Sequence, residues 1–66
     1  MTTIKKVIQN KAENSVHYLV YYKNGRTFRY TERDNLPDTV LRFILTEATA
    51  ETRYIEGTSK TIYRAH

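Results

Sequence analysis

The side chains able to do chemistry in this chain are few. They are His17 and His66, the carboxylates Asp34 and Asp38, and a group of lysines, arginines and tyrosines around Asn24-Gly25. Without cysteine, and without two histidines at ligand spacing, a structural or catalytic zinc site is not expected. Glycine occurs only at positions 25 and 57, which leaves no glycine-rich loop to cradle a phosphate. Asp34 and Asp38 precede an apolar periodic segment, where helix capping and the positive end of the helix dipole account for both. His17 is expected opposite Glu32 as a cross-strand pair rather than half of a catalytic dyad. The chain therefore reads as non-enzymatic, with no catalytic residue, metal site or cofactor expected.

The remaining chemistry is ionic and aromatic. The net charge is +4 and the isoelectric point about 9.6. Lys5, Lys6, Lys11, Lys23, Arg26, Arg29 and Arg33 crowd the first half, whereas Asp34, Asp38, Glu47, Glu51 and Glu56 make the middle acidic. Such a polarised basic surface attracts polyanions. Lys5, Lys6, Lys23, Arg26 and Arg29 are the candidate phosphate contacts, and Tyr18 and Tyr22 the candidate stacking groups for a nucleic acid.

Hydropathy patterning supplies the elements that would position these groups. Residues 3–9 read as a first strand and residues 10–15 as a polar loop. Residues 16–23 and 26–32 alternate in polarity on either side of Asn24-Gly25, the strongest short-range signal for a hairpin with a two-residue turn. Pro37 suits a first helical turn. Leu36, Val40, Leu41, Ile44, Leu45 and Ala48 recur at helical spacing, which predicts a helix over 37–49. Residues 51–56 and 60–65 flank Gly57 as two further strands. The expectation is a single small α+β domain over residues 1–66: an antiparallel sheet with one helix packed on one face, in the order βββαββ. Three strands followed by a helix resemble, in topology, the small sheet-type DNA-binding domains of some integrases. No residue motif is shared, so no site is carried across.

A two-residue turn sets Tyr22 against Thr27 and Tyr21 against Phe28. Alternation then places Leu19, Tyr21, Phe28 and Tyr30 on the core face, and Val16, Tyr18, Val20 and Tyr22 with Arg29 on an open contact face. Phe43 widens the apolar stripe of the helix. With Ile62 and Tyr63 of an exposed last strand it is a candidate contact between copies of the chain, and a homodimer would relieve the small core of a 66-residue chain without disulfides. The leading functional expectation is a nucleic-acid-binding module. The alternatives are a phage-type inhibitor or adaptor that blocks a larger host protein, and a homo-oligomeric structural subunit. No leader or membrane span is read from the pattern, and a cytoplasmic setting is expected.

Overall fold

The computed structural model describes residues 3–65, so His66 lies outside the described residues. The chain forms β1 (Ile4–Ala12), β2 (Ser15–Tyr22), β3 (Thr27–Tyr30), a 3-10 turn (Arg33–Asn35), α1 (Asp38–Arg42) continued by a π-helical turn (Phe43–Glu47), β4 (Ala48–Ile55) and β5 (Thr58–Ala65). The strands make one antiparallel five-stranded sheet in the spatial order β3-β2-β1-β5-β4. The fold is thus α+β, with the helix between the third and fourth strands of the chain.

The expected loop over 10–15 is mostly strand. β1 runs on to Ala12, opposite Ser15, and only Glu13 and Asn14 connect it to β2. The first strand does not alternate cleanly because a bulge interrupts its register between Ile4 and Lys6. The extra residue lets Ile4 and Val7, three positions apart, serve the same face.

The β2–β3 hairpin differs from expectation by one residue, with a large consequence. Tyr18 lies opposite Tyr30, Val20 opposite Phe28 and Tyr21 opposite Thr27. The loop has three residues, because the Tyr22 amide donates to the Arg26 carbonyl at 2.9 Å and the Gly25 amide to the Tyr22 carbonyl at 3.0 Å. A two-residue type I′ turn needs positive φ at both central positions. Only Gly25 adopts it here, at +90°, while Asn24 instead accepts the Arg26 amide on Oδ1 at 3.0 Å. The slip of one residue sets Phe28 and Tyr30 on the same face as Tyr18, Val20 and Tyr22. Phe28, Tyr30 and Arg29 keep their expected faces, whereas those of β2 are exchanged, Tyr18, Val20 and Tyr22 facing the core and Leu19 and Tyr21 the other side.

That face is where the core lies. Ile4, Val7, Tyr18 and Val20 from the sheet form one buried cluster with Leu36, Val40, Phe43 and Ile44. Tyr22 meets Phe28 edge-on, with ring centroids 5.5 Å apart, at the margin. Leu36 precedes Pro37 and is extended (φ −71°, ψ 135°), as a residue before proline must be, which ends the 3-10 turn. Pro37 is the cap of α1 rather than its first helical residue, and its carbonyl accepts the amides of Val40 and Leu41. The helical segment stops at Glu47, short of the expected residue 49, and Ala48 opens β4 without a loop. In the π turn the Thr46 hydroxyl donates to the Arg42 carbonyl at 2.7 Å, while Phe43 and Ile44 stay inward.

Phe43 has no exposed surface, so it is a core residue and not a contact between copies. The last strand is not a sheet edge: β5 sits between β1 and β4, and Ile62 and Tyr63 are half-buried in the sheet interior. The edges are β3 and β4. Phe43→Ala should cost about 3–5 kcal/mol, comparable to the entire stability of so small a domain. Leu45→Ala, at a residue 69% exposed in the same turn, should change stability by less than about 0.5 kcal/mol. Urea unfolding of the two variants measures both.

Candidate nucleic-acid interface

Residues directly opposite in an antiparallel ladder share a face, so the strand registers define what stands opposite the core. Three rows cross that second face. One runs Arg29–Leu19–Ile8–Ile62–Glu51, the next Thr27–Tyr21–Lys6–Arg64–Thr49, and the third His17–Asn10–Lys60–Arg53. Its centre is apolar. Ile8, between Leu19 and Ile62, is 9% exposed although it lies outside the core cluster.

Around this centre stand Lys6, Arg29, Arg53, Lys60 and Arg64, with Glu51 as the one carboxylate in the paired rows. All but Lys6 are exposed. The other acidic residues of the chain occupy turns and the helical segments: Glu13, Glu32, Asp34, Asp38, Glu47 and Glu56. The charge is therefore sorted by face, not only along the sequence. Lys6 is directly opposite Arg64, and Lys60 directly opposite Arg53. Like charges in such positions destabilise a sheet. The second pair is eased by Glu51, whose Oε1 lies 3.7 Å from Arg53 Nη2. The Lys6 ammonium sits 4.9 Å from the centroid of the half-buried Tyr21 ring, a cation–π contact. Arg53, Lys60 and Arg64 also line a shallow hollow of about 310 Å³ with Glu51, Ile55 and Ile62.

The expected site residues divide three ways. Lys6 and Arg29 belong to the basic face. Lys23 and Arg26 are exposed at the β2–β3 loop and Lys5 at the bulge. Tyr18 and Tyr22 are on the core face: Tyr18, only 2% exposed, cannot stack on a base, and the half-buried Tyr22 is not on the basic face. Their phenols are pushed above the usual 10.0, in both cases first by burial. The positive charge of Arg33 partly opposes the shift at Tyr18, whereas Tyr30 reinforces it at Tyr22. His17 is exposed and opposite Asn10; the observed register removes its pairing with Glu32. Asp34 and Asp38 lie in first helical turns, with no side-chain capping bond from the residue before either segment.

Tyr21, Arg53, Lys60 and Arg64 are the residues that sequence reasoning missed. The alternation of β5 (Lys60, Ile62, Arg64) was a visible signal, but only the pairing of β5 with β1 places those residues beside Lys6. Among the described residues no group of acidic or histidine side chains is arranged to hold a metal ion. No helix among them is long and apolar enough to cross a membrane. Comparison with known protein families, curated proteins and solved structures finds no match. The likeness in topology to integrase domains thus gains nothing from them.

The tyrosine environment has a measurable consequence. A phenol whose pKa is raised by folding stabilises the fold fully below its unfolded value near 10, and that contribution is lost as pH climbs through the raised value. Thermal melts should therefore show stability falling steeply above pH 10, and Tyr18→Phe should flatten that fall while leaving the slope between pH 6 and 9 unchanged.

Proposed function

We propose that the helix closes one face of the sheet and that the opposite face binds nucleic acid, chiefly through the phosphate backbone. The observation that carries this reading is the pair of directly opposed cations, Lys6 with Arg64 and Lys60 with Arg53, on a sheet face where carboxylates are nearly absent. A fold tolerates such repulsion at low cost when a polyanion lies across it. Each neutralised phosphate then releases condensed counterions, which supplies affinity without sequence reading. Leu19, Ile8 and Ile62 give a flat apolar floor, and Tyr21 offers a single ring for an unstacked base. The exposed Lys23, Arg26 and Lys5 extend the positive field beyond the face.

A host-protein inhibitor or adaptor was expected to use the apolar face of Val16, Tyr18, Val20 and Tyr22. That surface is largely committed to the core, so the basic face is the better-supported site.

Fluorescence anisotropy with labelled single- and double-stranded DNA and RNA tests the proposal. Binding should persist near physiological salt and fall along a steep log–log salt slope. Lys60→Ala and Arg64→Ala should each weaken binding to all sequences and reduce that slope by about 1. Tyr21→Ala should weaken single strands more than duplex, and Tyr22→Phe should leave both unchanged. Binding confined to low salt, or indifferent to Lys60 and Arg64, would refute the proposal.

A further inference from the structure

β4 is one of the two edges of the sheet. It is eight residues long, its ladder with β5 is free of bulges, and it contains neither proline nor glycine. All its residues after Ala48 are exposed, including Tyr54 at 83%. The other edge, β3, has four residues. Long, regular edges are what other strands add to, and proteins that keep them unpaired blunt them with bulges, proline or inward charge.

The hairpin phase decides which backbone groups β4 presents. Ile55 and Thr58 close the two-residue Glu56-Gly57 turn, and a closing pair exchanges hydrogen bonds. Strand alternation then turns the amides and carbonyls of Ala50, Thr52 and Tyr54 away from β5, toward the open edge. Two copies joined antiparallel along this edge must be related by a two-fold axis, and outward-facing residues must meet outward-facing residues. The registers of greatest overlap that satisfy this are centred on residue 51 or residue 52. Centring on Glu51 sets two carboxylates against each other. Centring on Thr52 sets Glu51 against Arg53 of the second copy, and Arg53 against its Glu51, with Ala50 beside Tyr54 on the other face.

We propose that the occupant of this edge is a second copy of the chain, paired β4 to β4 in the register centred on Thr52. The charge complementarity is specific to that register. Glu51 and Arg53 lie on the same face and already attract one another within the strand at 3.7 Å. Pairing would turn the weak contact into an alternating four-charge cluster. The Glu51 carboxylate of the second copy would also offset the repulsion between Arg53 and Lys60. The joined sheets would have ten strands and a continuous basic face. Pairing along β4 does not require nucleic acid, and the test is run without it.

Sedimentation velocity of the full chain from micromolar to millimolar concentration should show a monomer–dimer equilibrium. Glu51→Arg and Arg53→Glu should each weaken the dimer at least tenfold, while far-ultraviolet circular dichroism confirms that both variants fold. Mixing the two single variants should produce a heterodimer, and the double exchange Glu51→Arg/Arg53→Glu should restore the homodimer. Because the chain has no cysteine, Thr52→Cys should cross-link under mild oxidation and Glu51→Cys should not. A chain that stays monomeric at millimolar concentration would overturn the proposal. So would a dimer indifferent to the charge reversals, or Glu51→Cys cross-linking better than Thr52→Cys.

Discussion

The structure depends on how little apolar material there is to bury. Ile4, Val7, Val20, Val40 and Phe43 are the largest side chains fully removed from water, and this group has to hold a five-stranded sheet together. Val7 is opposite Val20 in the central ladder, in one cluster with Phe43 and Val40. A helical segment of ten residues, Asp38 to Glu47, gives that cluster only Val40, Phe43 and Ile44. Ile8 lies outside the cluster yet is almost inaccessible.

The same scarcity explains the local devices. The bulge after Ile4 recovers an apolar side chain that strict alternation would have turned outward. The π turn keeps Phe43 and Ile44 inward and leads straight into β4, so no residue is spent on a loop. Tyr18 extends the core with a ring, 2% exposed, in one cluster with Val20 and Phe43. Thr52 and Thr61, opposite one another toward the thinner end of the sheet, satisfy each other through hydroxyls 2.9 Å apart.

The proposed function rests on what the core does not include. Cations are tolerable on the sheet face that the core cluster does not include, and the strand pairing gathers them there from both ends of the chain. Lys6 comes from the first strand and Arg64 from the last. Edge strand β4 is the second surface left uncommitted, and its Glu51 and Arg53 give that edge a preferred self-complementary register. A dimer built that way would lengthen the basic face without interrupting it.

Local sequence determined the kinds of elements and their chain order. Alternating β-branched and aromatic residues specify strands, Gly25 and Gly57 mark tight turns, and the spacing of Val40, Ile44 and Leu36 with Pro37 marks the helix. It also determined the surplus of cations, +4 over the chain. Tertiary structure alone decided the faces. Whether Asn24-Gly25 closes a two-residue or a three-residue loop is a small local energy difference, yet one step of register exchanges every side chain of β2 between core and solvent. The pairing of β5 with β1, rather than at an edge, likewise rests on contacts between residues more than fifty positions apart, such as Val7 with Tyr63. No local pattern encodes that choice, because it is made by the total apolar surface that each arrangement can bury.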